Sequence, residues 1–96
     1  MTYIITQEIK RRADALNLIV KSSRNKDKKL DIYKDGIKQA SIGQAGAMDY
    51  HLWLQERGQA YANERRRLYH LRHKGEAPKT KNGKLTASFL SKVILW

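Results

Sequence analysis

The chain has no cysteine and a single proline, Pro78. Without thiols there is neither a disulfide framework nor thiolate ligation of a metal, so stability has to come from packing, in keeping with a reducing compartment. No run approaches the roughly 18 apolar residues of a membrane span, and residues 1–5 lack the basic start and long apolar run of a signal peptide, so a soluble, intracellular protein is expected. Acidic side chains are scarce: nine Asp and Glu stand against 20 Lys and Arg, a formal net charge of +11. Such an excess repels itself in the compact state unless an anionic partner relieves it. Residues 1–40 carry ten basic and five acidic side chains and residues 41–96 carry ten and four, so the charge is no basic tail. With 96 residues, 41% hydrophobic and 30% charged, one compact domain over residues 1–96 with one core is the expectation.

The periodicity of the chain divides it. Ile5, Ile9, Ala13 and Leu16 recur at helical spacing among Glu8, Lys10, Arg11, Arg12 and Asp14, predicting a first helix capped by Thr6 or Thr2. From Leu18 β-branched residues and alternation take over, predicting strands over 18–22, 29–34 and 37–42. Asp35-Gly36 between the last two supplies the positive φ angles of a tight type I′ hairpin. The loop over 22–28 is polar and carries Arg24, Lys26 and Lys28. Asp49 stands where it can cap a helix over Tyr50, Trp53 and Leu54; Gly58 breaks it, and 59–74 forms the longest helix, closed by Gly75. Residues 75–84 have the composition of a mobile basic loop. Leu85, Phe89, Leu90, Val93, Ile94, Leu95 and Trp96 are too apolar for a frayed end and should dock on the core or on a partner. The architecture predicted is α+β: a three-stranded antiparallel β-meander packed by an N-terminal helix, a long basic helix and a short C-terminal helix.

Arg65, Arg66 and Arg67, with Arg72 and Lys74 one to two turns on, put a cationic stripe on a helix from which side chains can reach phosphates. A solvated helix face is the plainer reading of such a run. Arg24, Lys26, Lys28 and Lys29 of the 22–29 loop, and the lysines of 79–84, shift the reading towards a polyanion-binding surface. Tyr3, Tyr33, Tyr50, Trp53, Tyr61, Tyr69 and Phe89 are interleaved with the basic residues; packing is the ordinary use of aromatics at helical spacing, stacking on unpaired bases the alternative. His70 and His73 with His51 form at most a weak metal set amid arginines, better read as phosphate contacts, so no metal or other cofactor is expected. Asp49 with His51 and Glu64 with His70 are the pairings a small metal-dependent nuclease could use, but no nucleophile motif, paired-carboxylate site or phosphate loop accompanies them, so no catalytic residue is assigned, a non-enzyme is expected and a nuclease stays the third reading of function.

Lys28-Lys29-Leu30-Asp31-Ile32-Tyr33-Lys34-Asp35-Gly36, Ala40-Ser41-Ile42-Gly43, Asp49-Tyr50, Tyr61-Ala62, Arg65-Arg66-Arg67-Leu68-Tyr69, Arg72-His73 and Ile94-Leu95-Trp96, in that order, resemble a family of short basic proteins of unknown function encoded by nucleocytoplasmic large DNA viruses, including algal viruses and mimivirus relatives. The resemblance runs from about residue 15 onward and carries over no site residue. It implies a viral setting: a protein carried in or assembled with the virion, in host cytoplasm or nucleus. The functional expectation is sequence-independent binding of nucleic acid, DNA before RNA, through its phosphates. The rival is a minor capsid or cement protein whose basic face meets acidic capsid surfaces and whose Val93, Ile94, Leu95 and Trp96 plug a neighbour's pocket.

Overall fold

The structure is a computed structural model that describes residues 3–75, 78–80 and 82–96, so Lys81 of the expected basic loop lies outside the described residues. Helix α1 (Gln7–Ala15) leads into strands β1 (Ile19–Ser22), β2 (Lys28–Lys34) and β3 (Ile37–Gln44), then helices α2 (Tyr50–Arg57), α3 (Gln59–Arg72) and α4 (Ala87–Leu90), the last running on as a π-helical turn over Ser91–Leu95. The strands form one antiparallel sheet in the order β1-β2-β3. The class read from the sequence, an α+β meander with an N-terminal helix, is the one observed.

Local chemistry accounts for the boundaries. Thr6 caps α1 by accepting from the Ile9 amide at 3.2 Å, and Glu8 pairs with Arg11 and Arg12 on the next turn. The chain leaves α1 through Asn17 in the left-handed region (φ 58°), so Leu18 enters the core instead of Leu16, which is 37% exposed. Asp35 and Gly36 (φ 52° and 79°) make the type I′ turn that Asp-Gly predicts. The register then slips between Ile32–Ala40 and Tyr33–Lys38, bulging Gln39 out of the ladder. Its side-chain oxygen accepts from the Leu85 amide at 2.9 Å, which fastens the last segment to the sheet edge. Part of the loop expected to be mobile is a closed turn: Lys79 bridges Leu85, and the Thr80 amide donates to the Lys84 carbonyl at 2.8 Å.

The core is one cluster. Leu30 and Ile32 of β2 and Ile42 of β3 meet Ile9 and Ala13 of α1, Leu18, and Leu90, Ile94 and Leu95 of the C-terminal segment, all essentially without exposure. Burial of this order stabilises by about 1.5–3 kcal/mol per large side chain. The expected partner-docking role of the C-terminal end is therefore corrected for Ile94 and Leu95, which are core; Val93 and Trp96 are half-buried against that cluster. Apolar residues within reach of an unfilled sheet face bury there first, because intramolecular docking needs no second molecule.

The long basic helix sits differently from its neighbours. It packs chiefly on α2, burying Ala62, while Tyr61, Leu68 and Leu71 stay exposed. It ends at Arg72, two residues short of the expected bound. Gly43, in β3, is closely approached at its backbone by neighbouring side chains. Its φ is +77°, and a Cβ there would come within 2.8 Å of both Leu95 Cδ1 and the Lys29 side chain. Gly43→Ala should lower stability by about 2–4 kcal/mol, combining backbone strain with overpacking, read as a lower urea midpoint with an unchanged m-value.

Candidate nucleic-acid interface

Lys29 departs from its expected role. It is 6% exposed, and its Nζ donates to Asp49 Oδ2 at 2.9 Å and to the Ala47 carbonyl at 2.6 Å. Asp49, 1% exposed, accepts with the other oxygen from the Leu52 amide at 3.0 Å, capping α2 as the sequence predicts. Tyr3 completes the node by donating its hydroxyl to Asp49 Oδ2 at 2.7 Å, with Lys29 Nζ 5.1 Å from its ring centroid. Burial and the carboxylate push the Tyr3 hydroxyl pKa far up, so it remains a donor. Lys29 is thus a structural cation, committed to Asp49 and closed to phosphate.

The arginine run does not form one stripe, because successive side chains on a helix diverge by about 100°. Arg65 lies 5.4 Å from the Trp53 ring centroid and Arg66 4.3 Å from that of Tyr50. Arg67 is paired with Glu64 through bonds of 2.6 and 3.0 Å, and those bonds hold the Glu64 carboxyl below its ordinary pKa. Arg65 and Arg66 are therefore half-buried against α2, while Arg67, Arg72 and Lys74 are exposed.

Arg72 meets a second basic segment that is remote in sequence. The β1–β2 loop is pinned by the Asn25 amide on Ser23 Oγ (3.1 Å), the Asp27 amide on Asn25 Oδ1 (2.9 Å) and the Lys28 amide on the Asn25 carbonyl (3.1 Å). Arg24, Lys26 and Lys28 project from it into solvent. Lys28 and Arg72 line one cleft of about 310 Å³ together with Gln44, Tyr69, Ser91 and Trp96, and the Lys29–Asp49 pair lines it as well. Lys28 with Lys26 also lines a smaller adjoining hollow of about 170 Å³. Among the described residues neither Lys28 nor Arg72 has an ion-pair partner. Tyr69 stacks on Trp96 with ring centroids 4.5 Å apart and planes 8° from parallel, and on His73 at 4.1 Å. Sequence reading placed Tyr69 among the aromatics but missed its pairing with Trp96. Tyr69 and Arg72, three apart on α3, were the local signal; the approach of Trp96 had none.

The remaining titratable candidates are occupied. His51 is buried, and its Nε2–H donates to the Ile94 carbonyl at 2.8 Å, since a carbonyl can only accept. Arg12 donates to the same carbonyl at 3.3 Å and lies 5.3 Å from the Tyr50 ring centroid, so two donors satisfy this carbonyl at the buried end of the C-terminal helix. Burial lowers the His51 pKa, and Arg12 adds to this; Ile94, Asp49 and Glu8 oppose it without prevailing. His70 stands edge-on to Tyr69. Among the described residues no three His, Asp or Glu side chains converge as a metal site, and no helix is long and apolar enough to cross a membrane. Asp31 accepts from Ser23 Oγ (2.7 Å) and Ser41 Oγ (2.6 Å); burial alone would raise its pKa, but these bonds outweigh it and hold the carboxyl low. No protein-family model, curated protein or solved structure matches the chain.

Two measurements follow from these partners. Lys29→Met leaves Asp49 buried and without its cation, which costs about 3–5 kcal/mol, whereas Lys28→Gln at the exposed neighbour stays within about 0.5 kcal/mol; chemical denaturation of the two variants compares them directly. His51 is neutral in the fold and its pKa is depressed, so stability is constant above its ordinary value of 6.5 and falls as pH drops from there through the folded value. His70 is depressed too but is exposed. Most of the stability lost between pH 6.5 and 5 should therefore disappear in His51→Gln and persist in His70→Gln.

Proposed function

We propose that this is a small viral nucleic-acid-binding protein that engages phosphate backbones largely without regard to sequence and travels with the virion. The observation that carries the reading is the convergence of Lys28, at the start of β2, and Arg72, at the end of α3, on one cleft, neither having an acidic partner among the described residues. Lys26 and Arg24 extend the surface along the loop, and Lys74 extends it past α3. A net charge of +11 provides the long-range attraction, and phosphates are the ligand that two exposed cations across a cleft suit. The viral setting rests on the sequence resemblance alone. The capsid or cement reading keeps the basic face but no longer has a free apolar plug, since Ile94 and Leu95 are core.

The test is the salt dependence of binding to a labelled duplex, followed by fluorescence anisotropy. Engagement of about six phosphates gives a slope of log K against log salt near −5. Lys28→Gln and Arg72→Gln should each reduce that slope by about 1, uniformly across sequences. Arg67→Gln should change it less, because Glu64 competes for that guanidinium. Binding that ignores salt, or none at low ionic strength, overturns the proposal.

A further inference from the structure

We infer that the cleft between the β1–β2 loop, the end of α3 and the C-terminal turn is a pocket for one unpaired nucleotide of a single strand, its phosphate held by Lys28 and Arg72 and its base seated against the Tyr69–Trp96 wall. The inference rests on the polyanion reading above and adds to it a preference that phosphate contacts alone do not create.

Three features carry it. A volume of about 310 Å³ is at the small end of the ~300–1,000 Å³ of ligand pockets, which suits one nucleotide and not a duplex. The two ring systems in its wall are already stacked in parallel, so little side-chain ordering is left for binding to supply. Tyr69 lies between His73 and Trp96, so a base meets this wall at the Trp96 ring, and aromatic contact with a base is worth about 1–3 kcal/mol whatever its identity. Gln44 and Ser91, which carry a side-chain amide and a hydroxyl, are among the residues lining the same cleft, where a base edge needs donors and acceptors. A paired base presents neither its face nor its pairing edge, so duplex DNA can meet Lys28 and Arg72 but cannot fill the pocket.

The experiment titrates the ¹⁵N-labelled full chain and follows the indole N–H resonances of Trp96 and Trp53, with Trp53, on α2, as the internal control. The probes are a thymidine hexanucleotide, an abasic hexamer of equal charge, the hexanucleotide in duplex form, thymidine monophosphate and hexaglutamate. The hexanucleotide should shift Trp96 saturably and leave Trp53 in place. The abasic hexamer and the duplex should shift amides around Lys28 and Arg72 but not Trp96. Arg72→Gln, at an exposed position, should retain the folded spectrum and weaken hexanucleotide binding roughly tenfold, the loss of one charge-assisted bond. A Trp96 resonance that stays still while the hexanucleotide binds, or moves equally with the abasic or duplex probe, overturns the pocket and leaves phosphate binding standing. Thymidine monophosphate binding as tightly as the hexamer assigns the site to free nucleotides and overturns the strand. Hexaglutamate binding at Trp96 as tightly as the hexanucleotide assigns it to an acidic protein. No binding by either hexamer overturns both readings.

Discussion

The buried pair of Lys29 and Asp49 is the constraint on which the arrangement of this molecule depends. Taking both charges out of water is costly, and their attraction need not exceed that cost, so the pair is not best understood as a source of net stability. Its effect is positional. Lys29 belongs to the central strand and Asp49 is the cap of α2, so a single bond of 2.9 Å joins the sheet to the start of the helical hairpin. Other ties to that hairpin are also directional: Tyr3 on Asp49, His51 on the Ile94 carbonyl, Arg12 over the Tyr50 ring and Tyr69 on Trp96. Apolar burial is non-directional, whereas hydrogen bonds and a parallel ring stack each fix an orientation. The hairpin is consequently held in one orientation although few of its side chains enter the core.

That division explains what was legible in the sequence. The meander was readable because its signals are local: Asp35-Gly36 fixes the turn, Leu30 and Ile32 alternate, and the strand bounds follow within a residue or two. The Asp49 cap and the break at Gly58 were readable for the same reason. Lys29 was not. By composition it continues the basic loop, and only the approach of Asp49, twenty residues on, makes it a buried cation. The C-terminal end was ambiguous because apolar residues signal burial without saying against what; the open face of a three-stranded sheet answers that question.

The arginines show how far a charge count overstates a binding surface. Arg65 and Arg66 are drawn onto the rings of Trp53 and Tyr50, Arg12 is shared among Glu8, Tyr50 and Ile94, and Arg67 is matched by Glu64. Cation–π contact keeps the charge while fixing the guanidinium, and so these residues contribute to the field of the protein more than to contacts. Aromatics interleaved with basic residues therefore have two uses here. On α2 and the start of α3 they hold arginines in place; at the end of α3 they form the wall of a cleft.

The adjacent lysines of β2 bind these themes together. Lys29 is inside and holds α2; Lys28 is outside and faces the cleft that α3 closes with Arg72. The separation of the two cleft cations is set by how the hairpin sits on the sheet, and that is set by the residue next to one of them. Salt acts unequally on this arrangement. At 0.15 M ionic strength charges more than about 8 Å apart through water are largely screened, while a buried pair in contact is screened much less. Ionic strength therefore weakens the attraction that Lys28 and Arg72 exert on any anion without loosening the anchor that positions them, so the shape of the cleft is less sensitive to salt than its field.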